Sequence, residues 1–157
     1  MIDEARLDAV LSSHAVDVIF HAAAYKHVPL VELNFGEAIR NNVLGTDAVL
    51  RAAIRHGVGQ FVLLSTDKAA APVSIMGASK RLAELLVSAY STRPAPILSV
   101  VRFGNVFASS GSLVPVILAQ IDRGGPVTVT SPAATRFFMT TSEAAELVIT
   151  VAGFGVS

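Results

Sequence analysis

The sequence predicts an α/β fold in which a parallel sheet is flanked by helices. Three observations carry this reading. Short runs rich in Val, Ile and Phe alternate with longer segments of helical spacing, the order expected of right-handed crossover units. The runs are mostly apolar and do not alternate at every second residue, as expected of strands buried on both faces. Of the 157 residues, 52% are hydrophobic and only 15% charged, which suits elements covered on more than one side and excludes a disordered tail.

Val16 to Ala24 (VDVIFHAAA) is the first strand, followed by a polar loop through Pro29. From Phe35 to His56, Ala38, Ile39, Val43, Leu44, Ala48, Leu50, Ala53 and Ile54 recur at helical spacing, and Gly57 follows as a stop. Gln60 to Thr66 (QFVLLST) is a second buried strand. A loop with Pro72 and Ser74 leads into a helix carrying Leu82, Leu85, Leu86, Ala89 and Tyr90. Ile97 to Phe107 is a third strand running into a Gly/Asn/Ser loop, Leu113 to Asp122 a helix, Val127 to Thr130 a short strand and Glu143 to Ala152 a last helix. Ligands of such sheets sit beyond the carboxyl ends of the strands. The residues after Phe20, Leu64 and Val101 are therefore where chemistry is expected, and the polar clusters fall there.

The length is that of one ordinary domain. No repeat, low-complexity tract or linker divides the chain, so residues 1–157 form one domain or part of one. Twelve basic residues balance twelve acidic ones, so no global field favours nucleic acid or an anionic membrane surface. The absence of cysteine removes disulfides, thiolate chemistry and cysteine-ligated metals, and no metal site is predicted. No apolar run approaches the ~20 residues of a spanning helix, and the start Met-Ile-Asp-Glu-Ala-Arg lacks the apolar core of a secretion signal. No membrane contact and no export are expected of this segment.

Five clusters carry candidate chemistry. In His21-Ala22-Ala23-Ala24-Tyr25-Lys26-His27-Val28-Pro29, small alanines let a flat ring lie against the backbone, and Lys26 and His27 supply donors for an anionic or hydroxyl-rich ligand. Ser65-Thr66-Asp67-Lys68 offers a hydroxyl donor, a general acid and a general base at one strand end; a polar cap with a local Asp-Lys pair has the same composition. In Met76-Gly77-Ala78-Ser79-Lys80, four-residue spacing puts Met76 and Lys80 on one helix face. Val101-Arg102-Phe103-Gly104-Asn105-Val106, with Ser109-Ser110-Gly111-Ser112 behind it, combines close backbone approach at Gly104 with a side chain, Asn105, that both donates and accepts. In Thr135-Arg136-Phe137-Phe138-Met139-Thr140, the planar fork of Arg136 suits a diphosphate or, equally, a surface carboxylate.

In this order and spacing, HAAAYKHVPLVE, NNVLGT, STDKA, MGASKRLAE, VRFGNV and the Thr-Arg-Phe-Phe-Met-Thr segment resemble the extended short-chain dehydrogenase/reductases that modify nucleotide sugars. Within them the chain is most similar to the large, membrane-anchored UDP-N-acetylglucosamine 4,6-dehydratases of bacterial polysaccharide and glycan synthesis. The resemblance covers nearly the whole chain and implies a partial Rossmann-like fold. It also implies NAD or NADP as cofactor, a UDP-sugar substrate, a homo-oligomeric full-length enzyme, and cytoplasmic placement beside the inner membrane. In that family a hydride leaves sugar C4, water is eliminated across C5 and C6, and the hydride returns to C6. Carried over residue by residue, Thr66 bonds the C4 oxygen, Asp67 protonates the departing C6 hydroxyl and Lys68 takes the C5 proton. Lys80 holds the nicotinamide ribose, Ala22 and Ala23 pack beside the cofactor, and Lys26, His27, Asn105 and Arg136 contact sugar and diphosphate.

Met76 stands where most of the superfamily has a tyrosine acid/base, and methionine transfers no proton; the large-type dehydratases resemble this chain at that position. Related dehydratases acting on other sugars carry glutamate in place of Lys68, and a lysine base requires a pKa below its usual ~10.4. The rival enzymatic reading is an epimerase or reductase of the same superfamily, and the rival outside enzymology is a non-catalytic remnant. A glycine-rich turn between a strand and a helix, which receives the cofactor's pyrophosphate, is absent from the 157 residues: Gly57-Val58-Gly59 follows a helix. The chain is thus expected to be a fragment lacking the amino-terminal dinucleotide turn, and inactive by itself.

Overall fold

The apolar runs pair into a sheet, but of the strands expected to be buried on both faces only the central one is largely buried: Phe20 of the first run and Ile97 and Val100 of the third, at the two sides of the sheet, are 48%, 45% and 39% exposed. The computed structural model describes residues 3–92, 95–107, 109, 113–129, 131–133 and 135–154. In it β1 (Val18–His21), β2 (Gln60–Thr66) and β3 (Ile97–Phe103) pair in parallel in the order β1-β2-β3. The register sets Phe20 opposite Val62 and Leu64 opposite Val101. Gln60 to Leu63 of the central strand are all buried. Phe61 and Leu63, on one face, pack with Val49, Leu50 and Ala53 from α4 (Gly45–Arg55) and with Ala83 and Val87 from α5 (Ile75–Ala89). Burial of this apolar face stabilises the fold by ~25 cal/mol per Å² removed from water. Helix α7 (Thr141–Gly153) lies along β2 and β3.

The expected helix over Phe35–His56 is one run with three geometries: α3 (Phe35–Ala38), a π-helical turn (Ile39–Leu44) and α4. It ends before Gly57, whose φ of 67° is the left-handed conformation glycine adopts without a Cβ penalty. A helix not anticipated from the sequence, α1 (Glu4–Ser13), is capped by Asp3, which accepts from the Arg6 N–H at 2.9 Å. It is tied to α4 by Arg51–Glu4 (2.6 Å) and Arg55–Asp8 (2.9 Å) ion pairs.

Three further expectations are corrected. The loop expected through Pro29 gives way at Val28 to α2 (Val28–Leu33), because proline is tolerated in a first helical turn, where its missing N–H has no partner. The third strand stops at Phe103; after Gly104, β4 (Asn105–Val106) joins β5 (Phe138–Met139) in a separate two-stranded parallel sheet. Val127 to Val129 form no strand. After Gly124 and Gly125, with φ of 86° and 79°, the Thr128 N–H donates to Gln120 Oε1 at 3.0 Å, so that donor is bound to a side chain of α6 (Leu113–Asp122) rather than to a neighbouring strand. Thr130 and the Ser110-Gly111-Ser112 stretch lie outside the described residues.

On α5 the leucine stripe is not the buried face. Met76, Ser79, Lys80, Ala83, Glu84 and Val87 are buried, while Leu82 and Leu85 are 46% and 49% exposed. The polar side chains of this helix are turned toward the strand ends. Among the described residues no helix is long and apolar enough to cross a membrane.

Candidate functional site

Where β2 ends, Thr66 caps a single 3₁₀ turn over Asp67–Ala69. Its hydroxyl donates to Asp67 Oδ1 at 2.9 Å and lies 3.4 Å from the Lys68 N–H. The Lys68 Nζ donates to the same Asp67 Oδ1 at 2.9 Å and to Asn105 Oδ1 at 3.0 Å. Burial pushes the Asp67 carboxyl up, but the bonds from Lys68 and Thr66 outweigh it and hold the group below its ordinary value. The Lys68 and Asp67 side chains are 35% and 32% exposed, so the pair is reachable by a ligand.

Two glycines let other elements approach this turn. A Cβ on Gly77 would lie 2.6 Å from the Lys68 carbonyl oxygen, and one on Gly104 2.9 Å from that of Phe137. The first brings the start of α5 against the Asp67–Ala69 turn. The second lets the Phe137 carbonyl accept from the Asn105 N–H at 2.8 Å, aligning β5 with β4.

Behind the turn, Met76 is buried and packs near Val31 and Ala38. Lys80 is 7% exposed and donates to the carbonyl oxygen of Leu64. Burial lowers its amine to about 8, partly opposed by the charge of Glu84. Glu84, one turn further along the same face, accepts from Ser65 Oγ (2.6 Å), from Arg102 through Nε (2.9 Å) and Nη2 (2.6 Å), and from Arg81 (3.1 Å). Burial would raise that carboxyl, but these bonds, led by the one from Arg102, hold it at about 2. The network joins the ends of β2 and β3 to α5.

At the end of β1, Ala22 and Ala23 are exposed. Ala22, Lys26 and His27 line a cavity of about 630 Å³ with Ala24, Tyr25 and Glu37. Its lining contains none of Thr66, Asp67 and Lys68. The structure therefore joins Thr66, Asp67, Lys68 and Asn105 by hydrogen bonds, and Ala22, Lys26 and His27 around the cavity. Arg136 belongs to neither group: it is exposed and donates to the Thr135 carbonyl oxygen at 2.6 Å. Asn105, expected at the sugar, has its Oδ1 on Lys68.

The sequence reading missed the buried polar residues Asn42, Thr46, Ser79 and Glu84. For Glu84 a signal exists: it stands four residues after Lys80, on the same helix face.

The chain matches the family model described as polysaccharide biosynthesis protein over residues 1–156. It is 47% identical over 147 residues to the probable polysaccharide biosynthesis protein EpsC of Bacillus subtilis, covering 94% of this chain and 25% of that protein. It is also 47% identical over 139 residues to a protein of Rickettsia typhi named UDP-glucose 4-epimerase, covering 87% of this chain and 41% of the relative. Among solved structures, Pen from Bacillus thuringiensis superposes with a TM-score of 0.90 at 35% identity, over 97% of this chain and 47% of that one. DesIV, a dTDP-glucose 4,6-dehydratase from Streptomyces venezuelae solved with NAD and TYD bound, gives 0.87 at 25% identity, over 96% and 52%. The chain thus spans from a quarter to about half the length of these proteins.

Proposed function

The chain belongs to the polysaccharide biosynthesis protein family, within the extended short-chain dehydrogenase/reductases that modify nucleotide sugars, and from that premise we propose that it carries the acid/base centre of a UDP-N-acetylglucosamine 4,6-dehydratase. The observation that carries this reading is the Asp67–Lys68 pair, 2.9 Å apart at the end of a buried strand, with Thr66 bonded to the same carboxylate. Met76 supports it, since the usual tyrosine position holds no proton donor and acid/base chemistry must come from elsewhere.

The residues present suit the nicotinamide end of a dinucleotide. Ala22 and Ala23 form an exposed shelf of small side chains at the end of β1, and Lys80 has one of its three amine hydrogens on Leu64, leaving two to donate to a ribose. Bound NAD or NADP supplies the acceptor for the C4 hydride and its donor to C6. The pyrophosphate needs a helix terminus after a glycine-rich turn, which the described residues do not contain: Gly57 and Gly59 lie between α4 and β2.

The pair acts as a one-proton unit. Moving the proton of the 2.9 Å bond from Lys68 Nζ to Asp67 Oδ1 creates a neutral amine and a carboxylic acid together. Once C4 is a ketone, its neighbouring C5–H is acidic. Lys68 takes the C5 proton, the C6–O bond breaks, and Asp67 protonates the departing oxygen, so water leaves. The pair is then ammonium and carboxylate; saturating C5 again takes a proton back from Lys68, and the proton set free when the C4 hydroxyl is oxidised, shed to solvent and replaced from it on the pair, closes the balance. Thr66 turns its one hydrogen from Asp67 to the C4 oxygen, Asn105 keeps the Lys68 amine aimed, and Lys26, His27 and Arg136 meet the sugar and diphosphate.

A second reading, a 4-epimerase, draws on the name of the Rickettsia typhi relative. Product analysis separates them. Spliced into the matching segment of the Bacillus subtilis relative and given UDP-N-acetylglucosamine with NAD or NADP, the chain is expected to yield a 4-keto-6-deoxy sugar nucleotide. A C4 epimer that keeps its C6 hydroxyl sinks the dehydratase. The 157 residues assayed alone are expected to give no product, because no turn among the described residues receives the pyrophosphate; 4-keto product from them would overturn that expectation.

A further inference from the structure

Glu84 is a carboxylate buried to 6% exposure on α5, and no step proposed above uses it. A charge taken out of water is tolerated only where partners meet it, and here they come from both neighbouring strands as well as from α5. Oε1 accepts from Ser65 Oγ of β2 at 2.6 Å and from Arg102 Nε of β3 at 2.9 Å. Oε2 accepts from Arg102 Nη2 at 2.6 Å and from Arg81 Nη1, on its own helix, at 3.1 Å. The Arg102 contact is therefore bidentate, which fixes the relative planes of the two groups as well as their distance.

The two strand residues it holds are partners. Ser65 and Arg102 stand opposite one another in the β2–β3 register, one step before its last pair, Thr66 and Phe103. Beyond that pair the chains part: one enters the Asp67–Ala69 turn, and the other passes Gly104 into β4 and the second sheet. They meet again at the bond of 3.0 Å from Lys68 Nζ to Asn105 Oδ1. Lys68 and Asn105 each stand three residues past the one that Glu84 grips. One turn earlier on α5, Lys80 donates to the Leu64 carbonyl oxygen, so the helix holds successive residues of β2, Leu64 through Lys80 and Ser65 through Glu84, and Arg102 ties the end of β3 to the same point.

We infer that Glu84 is a positioning residue: by gripping the cross-strand pair Ser65 and Arg102 at the end of the register, it sets the separation at which Lys68 and Asn105 meet. The inference rests on the functional reading above for the role of Lys68, but its geometry does not.

A double-mutant cycle on turnover tests it, with the chain spliced into the full-length Bacillus subtilis relative. Glu84→Gln keeps the size of the side chain but turns an amide NH2 toward one of its donors. It is expected to lower kcat about tenfold with the KM for the nucleotide sugar within about threefold, the pattern of a misplaced reacting group. Asn105→Ala, which removes the contact to Lys68, is expected to lower kcat by a similar factor. In the double variant the second substitution should then change kcat by less than about threefold, because the bond through which Glu84 acts is already gone. Losses that multiply to about a hundredfold would show that Glu84 reaches turnover by another route and overturn the inference. A parental kcat in Glu84→Gln, even with lowered stability, marks an ion pair that only holds the fold, and a parental kcat in Asn105→Ala shows that the Lys68 contact sets nothing; either overturns it. Glu84→Asp covers the case in which the glutamine variant does not fold. It keeps the charge but is one methylene too short to meet Ser65 and Arg102 together, so the same loss and the same non-additivity are expected. Parental kcat in Glu84→Asp would show that charge alone suffices and sink the positioning role. Failure of the dehydratase reading would appear in the product the parent forms, whereas failure of this inference would appear as additivity, whatever the product.

Discussion

The segment from β1 to β3 and the segment from β4 to α7 are held by different forces. In the first, polar side chains are buried and partnered: His21 with Thr46, Asn42 with Tyr25 and Ser79, Ser65 and Arg102 with Glu84. In the second, neither α6 nor α7 contains a buried residue among those described. Leu118, Ile121 and Ile149 are 54%, 54% and 68% exposed. Two strands of two residues each and a stacked Phe107–Phe138 pair at 4.8 Å hold β4 and β5 together. The Lys68–Asn105 bond crosses between the segments. Acid/base groups need placement to a fraction of an ångström, and the proposed ones are mounted on the segment where buried bonds over-determine position. The other segment brings Asn105 to them on exposed scaffolding.

The largest expected effect comes from removing the proposed base, together with its bond to Asn105. Lys68→Ala, in a chain placed within a full-length relative, is expected to lower dehydration on the order of 10²–10⁴-fold, the range for loss of a general base. Solvent exchange of the C5 proton should vanish with it; exchange at the parental rate would remove Lys68 from that role.

Acid should reach the first segment through His21. Its folded pKa of about 4 lies below the ordinary 6.5, so on acidification the unfolded chain takes up a proton first. The stability this histidine preserves is complete above pH 6.5 and is lost as pH falls toward about 4. The loss should amount to about 3 kcal/mol in the unfolding free energy. His21→Gln keeps a donor for Thr46 and titrates nothing, so denaturant titrations should show that slope in the parent and not in the variant.

Glu84 gives a smaller effect at lower pH. Its folded pKa of about 2 lies below the ordinary 4.5, so its contribution is present above pH 4.5 and lost as pH falls toward about 2. Glu84→Gln should cost about 2 kcal/mol at neutral pH, below the ~3–5 of a wholly buried broken pair, because the Arg102 side chain is 40% exposed and regains water. Equal stability of parent and variant across that range would show that the network does not hold the strand ends.

What was legible in the sequence follows the same division. Gln60–Thr66 and Leu113–Asp122 were read with the observed bounds, because a wholly apolar run and a helical period are local signals. Thr66, Asp67 and Lys68 were readable as one cluster because they are adjacent in sequence. The π turn, the hydrogen bonds of Asn42 to the Tyr25 backbone and the Glu84–Arg102 pair were not, since the last two join residues 17 and 18 apart and no local pattern names a partner at that range. Helix α1 escaped because it has no buried residue and its ion pairs reach 47 residues along the chain. Asn105 was legible as a polar side chain at a strand end, whereas its engagement by Lys68 depends on how β4 is set against the Asp67–Ala69 turn.

The smallest effect belongs to the second segment and tests whether it is held as locally as its geometry indicates. Thr140 accepts from the Glu143 N–H at 3.1 Å, while the Glu143 carboxylate accepts from the Thr140 N–H at 2.6 Å, a reciprocal cap on α7. Both residues are exposed, so water replaces much of what a substitution removes. Thr140→Ala should cost about 1 kcal/mol of helix stability. Because α7 lies along β2 and β3, looser capping should speed amide exchange over Thr141–Glu146 and leave Phe61–Leu63 unchanged. If instead exchange in β2 rises with that in α7, the two segments unfold as one unit. The exposed half would then share the cooperativity of the buried half, and the contrast between them would be one of burial alone.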